Sequence, residues 1–301
     1  MHCRNTLEKI ECPAGTSVAL GYFDGVHLGH RTVIESAVND ARQNGRTAAV
    51  FTFAPPKKNG IKGRMLLTQT EKMRRMQQLG VEYYICPAFE EFCSLSPEEF
   101  VHDILARQLC ACTVFCGEDF TFGKNKAGNV ALLRELCQKQ GICVSVLPLL
   151  QRDADAVSSS RIRECLLQGR PEEANAMLGE AYCIDLPVQH GQKLGTTLGF
   201  PTINQIYPQD MLMPKEGVYV TRTLIDGTWY PSATGLGTRP TVNGQGVTCE
   251  TFIPDFSADV YGDVIRVQFC SYLWPTQKFD SLQALADMVQ RAAKAAKEWQ
   301  P

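Results

Sequence analysis

The chain has 301 residues, 44% hydrophobic and 21% charged, with a formal net charge of -2. That length accommodates two domains with separate cores, and the near-neutral balance excludes a general attraction to nucleic acid or an anionic membrane, so any phosphate site must be local. Thirteen cysteines, scattered from Cys3 to Cys270 without a repeating frame, read as reduced thiols of a cytoplasmic protein.

The start of the chain carries Arg4, Glu8, Lys9 and Glu11 among few apolar residues, unlike a signal peptide, and no run approaches the ~20 apolar residues of a membrane span. Val18 to Leu20 is a short apolar strand that breaks at Gly21. Asp24-Gly25 marks a turn, and a helix begins near His27 and continues through Val33, Ile34, Ala37 and Val38. Strand, glycine turn and helix N-terminus in that order make an anion site, because the first helical N–H groups and the dipole both favour negative charge. His27 and His30, three apart, share a face of that helix end. Two imidazoles there suit nucleotide phosphates, and the same spacing is also compatible with zinc or with plain structure.

Thr47 to Phe53 reads as the second strand, stopped by Pro55-Pro56. A helix follows over Thr70 to Leu79, its expected apolar positions Met73, Met76 and Leu79, closed by Gly80. Val81 to Pro87 is a third strand. Ser96-Pro-Glu-Glu-Phe100 combines an N-cap serine, proline at the first helical position and early acids, and starts a helix through Leu105 and Leu109. Thr113 to Cys116 is a fourth strand, and the group Cys110, Cys112 and Cys116 reads as core packing of small hydrophobes. Val130 to Gln140 is helix and Ile142 to Leu147 a fifth strand. Alternating strands and helices predict a parallel sheet with helices on both faces, binding ligands at the carboxyl ends of its strands. The loop Gly117 to Asn129, with three glycines, two aromatics and two lysines, falls at that edge, as either a solvated loop or a ligand loop. Val157-Ser-Ser-Ser-Arg-Ile-Arg163 opens the next helix, as ordinary caps and surface charges or as a polyphosphate clamp.

Pro171 to Gly179 is a short helix closed by glycine and reads as a linker. Short β-rich runs then follow at Tyr182–Val188, Val218–Leu224, Thr228–Ala233, Val247–Phe252 and Val264–Tyr272, which predict an antiparallel sheet closed into a small barrel. A terminal amphipathic helix runs from Ser281 to Trp299 with Leu282, Leu285, Met288, Val289 and Ala292 on one stripe. Gly191-Gln-Lys193-Leu-Gly195-Thr-Thr-Leu-Gly-Phe-Pro-Thr202-Ile-Asn204 is either a glycine-rich hairpin or a nucleotide loop. Thr202 and Asn204, two apart on an extended chain, offer hard oxygen ligands of the kind Mg²⁺ prefers.

Gly21-Tyr-Phe-Asp-Gly-Val-His-Leu-Gly-His30 resembles the signature of the adenylyltransferase half of bacterial bifunctional riboflavin kinase/FAD synthetases. The resemblance extends to Val157–Arg163, to Gly191–Asn204, to Gly237-Thr-Arg-Pro-Thr241 and to Glu250 through Tyr261-Gly262, spanning roughly residues 15 to 290 in the family's order. It implies an α/β Rossmann-like nucleotidyltransferase domain over 1–169, a linker helix over 170–180, and an antiparallel β-barrel riboflavin kinase domain with a terminal helix over 181–301. It implies ATP contacts for the adenylyltransferase at Gly21, Phe23, Asp24, His27, His30, Ser159 and Arg161, and flavin contacts at Asp119, Phe120 and Phe122. In the kinase half it implies that Gly191, Lys193, Gly195, Thr202 and Asn204 bind ATP, that Thr202 and Asn204 hold Mg²⁺, and that Glu250 is the general base.

The expected reactions are phosphorylation of riboflavin to FMN and adenylylation of FMN to FAD, with ATP as co-substrate and no nucleic-acid or membrane partner. A weak homo-oligomer is compatible with the sequence. Some positions depart from the family. No histidine stands between the prolines after Phe53, where Lys57 or Lys58 follows instead. Tyr22 replaces a common asparagine, Thr196 an arginine, and Trp274 and Thr276 an arginine and a glutamate. These departures leave open two alternatives: a kinase with an impaired or differently specific adenylyltransferase domain, and a flavin-binding regulatory protein. Trp274 could lie over a flavin ring or simply cover the barrel.

Overall fold

The structure is a computed structural model that describes residues 1–53, 63–190, 200–241, 244–277 and 280–300. It divides into two compact units, one of Met1–Gly63 with Gln69–Ser158, the other of Arg64–Thr68 with Ser159–Pro301. Helix Pro171–Leu178, read as a linker, therefore falls inside the second unit together with the serine–arginine stretch from Ser159 onward.

The first unit is built on a six-stranded sheet. Its strands are β1 (His2–Arg4), β2 (Thr16–Leu20), β3 (Thr47–Phe51), β4 (Tyr83–Ile85), β5 (Ala111–Gly117) and β6 (Cys143–Leu147), paired in the order β1-β4-β3-β2-β5-β6 and parallel throughout. β1 escaped the sequence reading, because three residues with no apolar alternation carry no strand signal. All five residues of β2 are buried, as a central parallel strand covered on both faces requires. Chain order reverses across β2, with β3 on one side and β5 on the other, so the loop after β2 leaves at the switch point where open α/β sheets bind ligands.

Helix α1 (Leu28–Asn44) follows that loop, with His27 as its N-cap and Gly45, in the left-handed region at φ 63°, closing it. Helix α2 (Gln69–Gln78) forms where expected but buries a different face. Its buried residues are Glu71, Lys72, Arg75 and Met76, while Met73 and Leu79 are only partly covered. The charged face is stable inside because its members pair with one another and with backbone carbonyls.

Ser96 caps the short turn α3 (Pro97–Glu99) through a capping box with Glu99. Beyond Glu99 the chain winds as a π-helix, Phe100–Gln108, rather than as the expected α-helix. Phe100, Val101, Ile104 and Leu105 of that segment enter the core with Val18, Leu20, Phe51, Val114 and Leu133. Helix α4 (Val130–Lys139) covers the β6 side, and a short hairpin of β7 (Gln151–Arg152) and β8 (Asp155–Ala156) completes the unit.

The second unit opens with helices α5 (Ser159–Gln168) and α6 (Pro171–Leu178). Strands β9 (Tyr182–Gln189), β10 (Thr202–Ile206), β11 (Gly217–Ile225), β12 (Thr228–Thr241), β13 (Gly244–Phe252) and β14 (Val264–Trp274) close into an antiparallel barrel in the order β10-β13-β12-β11-β14-β9. The interior is not wholly apolar. Thr221, Thr223, Ser232, Thr234 and Thr251 are fully buried and bonded hydroxyl to hydroxyl at 2.7–2.8 Å, so none is left unsatisfied.

Helix α7 (Leu282–Glu298) packs on β11 and β12. Its fully buried residues are Ala292, Ala293 and Ala296; Leu285, Met288 and Val289 of the expected stripe are partly covered, and Leu282 is exposed. All thirteen cysteines are free thiols. No helix among the described residues is long and apolar enough to cross a membrane.

Two candidate active sites

In the first unit the loop from Gly21 to His27 is held in an unusual backbone conformation. Phe23 (φ 51°), Gly25 (φ 86°) and Val26 (φ 46°) all lie in the left-handed region, which is costly for a β-branched valine. The Phe23 side chain is buried beneath the loop, and a Cβ on Gly21 would come within 2.8 Å of its ring. Gly21 and Phe23 therefore shape the loop from below, and Asp24 is buried as well.

His27 takes the helix N-cap, its Nδ1 accepting from the His30 N–H at 3.3 Å. The two imidazoles stack with centroids 3.5 Å apart and planes 18° off parallel, and Phe23 meets His30 edge-on at 5.3 Å. Burial lowers the His27 pKa to about 4. Burial, reinforced by the charges of His27 and Lys72, holds His30 well below the usual histidine range. Both rings are therefore neutral at pH 7, consistent with a face-to-face pair in which two positive charges would repel. His30 Nδ1 is buried with no hydrogen-bond partner among the described residues. An orphaned ring nitrogen beside the free N–H groups of a helix start is chemistry waiting for an anionic ligand.

Sequence reasoning missed Lys72. Its ammonium is buried and donates to the Tyr22 carbonyl at 2.8 Å and to Thr52 Oγ1 at 3.1 Å, and it lies 5.3 Å from the Tyr22 ring centroid. Burial lowers its pKa to about 8, opposed by the neighbouring Cys86 and Asp24. The available signal was a run of charges at positions 71, 72 and 75 around Met76, on the face that an amphipathic helix would turn inward.

The loop after β5 is ordered by a bridge between Phe122 and Gly128. Its two aromatics part company. Phe122 is buried against Phe100 in the core, whereas Phe120 is only partly covered and stacks on Phe122 at 5.9 Å. Asp119 is exposed. Ser159 and Arg161 stand at the start of α5 in the second unit. The Pro55–Lys58 stretch lies outside the described residues.

The second site rests on the barrel's register. Asn204 of β10 lies directly opposite Glu250 of β13, and Thr202 opposite Phe252. Alternation puts Ile203 and Gln205 inside and Thr202 and Asn204 outside, and likewise Cys249 and Thr251 inside and Glu250 outside. One patch of outer surface thus holds the hydroxyl, the amide and the carboxylate. The Asn204 amide donates to the Thr202 carbonyl at 3.2 Å, which pins the amide over the threonine. On the far side of Glu250 its ladder neighbour is Gly235 of β12.

Thr202 also lines a cavity of about 280 Å³ with Val188, Ile253, Phe256, Asp259 and Tyr261. Asp259 Oδ1 accepts from the Tyr261 N–H at 3.1 Å, and His190 packs on the Tyr261 ring at 3.9 Å. Gly191, Lys193, Gly195 and Thr196 lie outside the described residues. Trp274 donates its indole N–H to Met288 Sδ of α7 at 3.0 Å and carries the Arg291 guanidinium 5.3 Å above its ring. It thus ties the terminal helix to the barrel.

The FAD synthetase family model matches residues 9–161 and the riboflavin kinase family model residues 178–300. Bifunctional riboflavin kinase/FMN adenylyltransferase of Bacillus subtilis is 33% identical over 94% of this chain and 92% of its own length. The protein of that name from Listeria monocytogenes is 34% identical over 91% and 89%. The chain belongs to the bifunctional riboflavin kinase/FMN adenylyltransferase family. A solved structure from Streptococcus pneumoniae, named a macrolide-efflux protein, is 28% identical and superposes with a TM-score of 0.88 over 99% of both chains. The histidine loop falls in the first match and the Thr202–Asn204–Glu250 patch in the second.

Proposed function

We propose that the barrel's outer patch phosphorylates riboflavin and that the histidine loop catalyses adenylyl transfer to the FMN so formed. The chain is a riboflavin kinase and FMN adenylyltransferase. In the kinase reaction Glu250 takes the proton from the 5′-hydroxyl of riboflavin as that oxygen attacks the γ-phosphorus of ATP, and ADP departs. The observation that carries this reading is the rung that sets Asn204 opposite Glu250, with Thr202 two residues along the same face.

Thr202 and Asn204 are oxygen donors of the type that fits Mg²⁺, and the ion when bound would neutralise charge on the transferring phosphate. General-base help supplies ~10²–10⁴-fold of the acceleration. Positioning of the two substrates must supply much of the remainder.

In the adenylyl reaction a phosphate oxygen of FMN attacks the α-phosphorus of ATP and pyrophosphate leaves. Neutral His27 and His30, with the first N–H groups of α1, donate hydrogen bonds to the phosphate oxygens, and Phe120 offers a face to the flavin. From their motif, Ser159 and Arg161 keep the role of binding the leaving pyrophosphate. The free thiols support a reducing, cytoplasmic compartment.

Incubation with riboflavin and Mg-ATP, followed by chromatographic separation of riboflavin, FMN and FAD, tests both steps. The expected result is FMN followed by FAD with release of pyrophosphate. FMN without FAD would sink the adenylyl half alone.

A further inference from the structure

Four carbonyls in the loop ahead of α1, those of Tyr22, Phe23, Gly25 and Val26, have donors, and most of those donors come from elsewhere in the fold. The Tyr22 carbonyl accepts from Lys72 Nζ and from Thr52 Oγ1, both at 2.8 Å. The Gly25 carbonyl accepts from Arg75 Nη1 at 3.3 Å, the Val26 carbonyl from Arg31 Nε at 3.2 Å, and the Phe23 carbonyl from the Val26 N–H at 3.4 Å. Arg75 is anchored in turn by Glu71 at 2.7 Å, both side chains almost wholly buried. Left-handed Phe23 and Val26 persist only where surrounding structure over-determines them, and α2 supplies two of those restraints from a single face.

We propose that α2 clamps the nucleotide loop, Lys72 and Arg75 holding the carbonyls of Tyr22 and Gly25 so that the strained Phe23–Val26 turn presents His27 and His30 in the geometry adenylyl transfer needs. Lys72 is thus a positioning residue, acting through the loop rather than on the phosphates. It has a second, electrostatic part. After burial, the charges of His27 and Lys72 lower the His30 pKa further, while Cys86 and Asp24 oppose the burial that lowers the Lys72 pKa. That arrangement disfavours a proton on His30 and preserves the neutral stacked pair.

The inference rests on the assignment of His27 and His30 to adenylyl transfer, and the test separates the two. Lys72→Met in the full chain is expected to lower kcat/KM for FAD formation about 10²-fold, the scale of a displacement near 1 Å at a reacting centre. Riboflavin phosphorylation by the same molecules stays unchanged, and a dispersed NMR spectrum of the first unit reports that it is folded. The His30 imidazole titration, followed by NMR, moves upward in Lys72→Met.

Thr52→Val removes the other donor to the Tyr22 carbonyl but leaves the charge. It is expected to cost about tenfold in FAD formation, at the scale of one lost hydrogen bond, with the His30 titration unmoved. Wild-type FAD formation by Lys72→Met overturns the clamp, and an unmoved His30 titration in that variant overturns its electrostatic part. If Lys72→Met does not fold, Thr52→Val decides alone, and unchanged FAD formation overturns the proposal. A wild-type chain that makes FMN but no FAD would instead overturn the histidine assignment itself.

Discussion

The two sites are made in opposite ways. On the barrel, Thr202, Asn204 and Glu250 are brought together by regular antiparallel pairing between β10 and β13, with ordinary extended backbone and one glycine neighbour. In the α/β unit, His27 and His30 sit after a loop with three residues at positive φ, held by charged side chains from a helix some fifty positions further along the chain. A site on ladder rungs is fixed by register, and a one-residue slip would turn all three side chains inward. A site on a strained loop is fixed only while its distant braces hold, so the first unit's activity is expected to be the more fragile under mutation away from the chemistry.

The largest expected effect breaks the barrel side alone. Glu250→Gln keeps the rung and the shape but cannot take a proton, so FMN formation falls by roughly 10²–10⁴-fold while ATP still binds and supplied FMN is still converted to FAD. Near-normal turnover of riboflavin by that variant would remove Glu250 from the mechanism. Next comes the converse. His30→Ala is expected to lower FAD formation by about 10²–10³-fold, as when one aligned donor to a transition-state oxyanion is removed. Kinase activity remains, and a parallel loss of both activities would show that the two sites do not separate as described.

A smaller effect concerns pH. The folded pKa values of His27 and His30 lie below the unfolded value near 6.5, so the unfolded chain binds more protons in the window beneath it. Stability is therefore fully present above pH 6.5 and declines as pH falls toward 4, by up to about 1.4 kcal/mol per pH unit for each histidine. Denaturant unfolding at pH 7 and pH 5 checks this, and His27→Gln should shrink the difference. The smallest effect belongs to the barrel's terminal helix. Trp274→Phe loses the indole hydrogen bond to Met288 and weakens the Arg291 contact, with an expected cost of about 0.5–1 kcal/mol in thermal unfolding and little change in either activity.

Much of this was legible from the chain. Apolar runs placed β2, β3, β5 and β6, glycines marked the ends of α2 and α6, and the two dense motifs marked both candidate sites. What stayed hidden was hidden for physical reasons. β10 reads Thr-Ile-Asn-Gln-Ile, and because Gln205 is buried, bonded to the carbonyls of Leu186 and Ile265, its polar residues fall on both faces and no alternation shows. In α2 the inward face is charged, and only tertiary partners reveal that Glu71, Lys72 and Arg75 are satisfied there. The π-helical winding of Phe100–Gln108 leaves no mark in residue type, since the capping box at Ser96 would start either helix. Phe122 looked like a ligand contact by motif, yet its ring fills the core and leaves Phe120 to meet solvent.

The hydroxyl file inside the barrel has its own consequence. Thr223, Ser232, Thr221, Thr234 and Thr251 are linked in that sequence, and each oxygen owns a single proton. Four bonds in series use four of the five protons, so every hydroxyl donates along the file toward the one member that turns its own proton out, and the donor directions are set together. A valine at Thr221 would cut the file at its midpoint, stranding Ser232 and Thr234 on either side of the gap, so one methyl-for-hydroxyl exchange there should weaken the barrel more than the same exchange at either end.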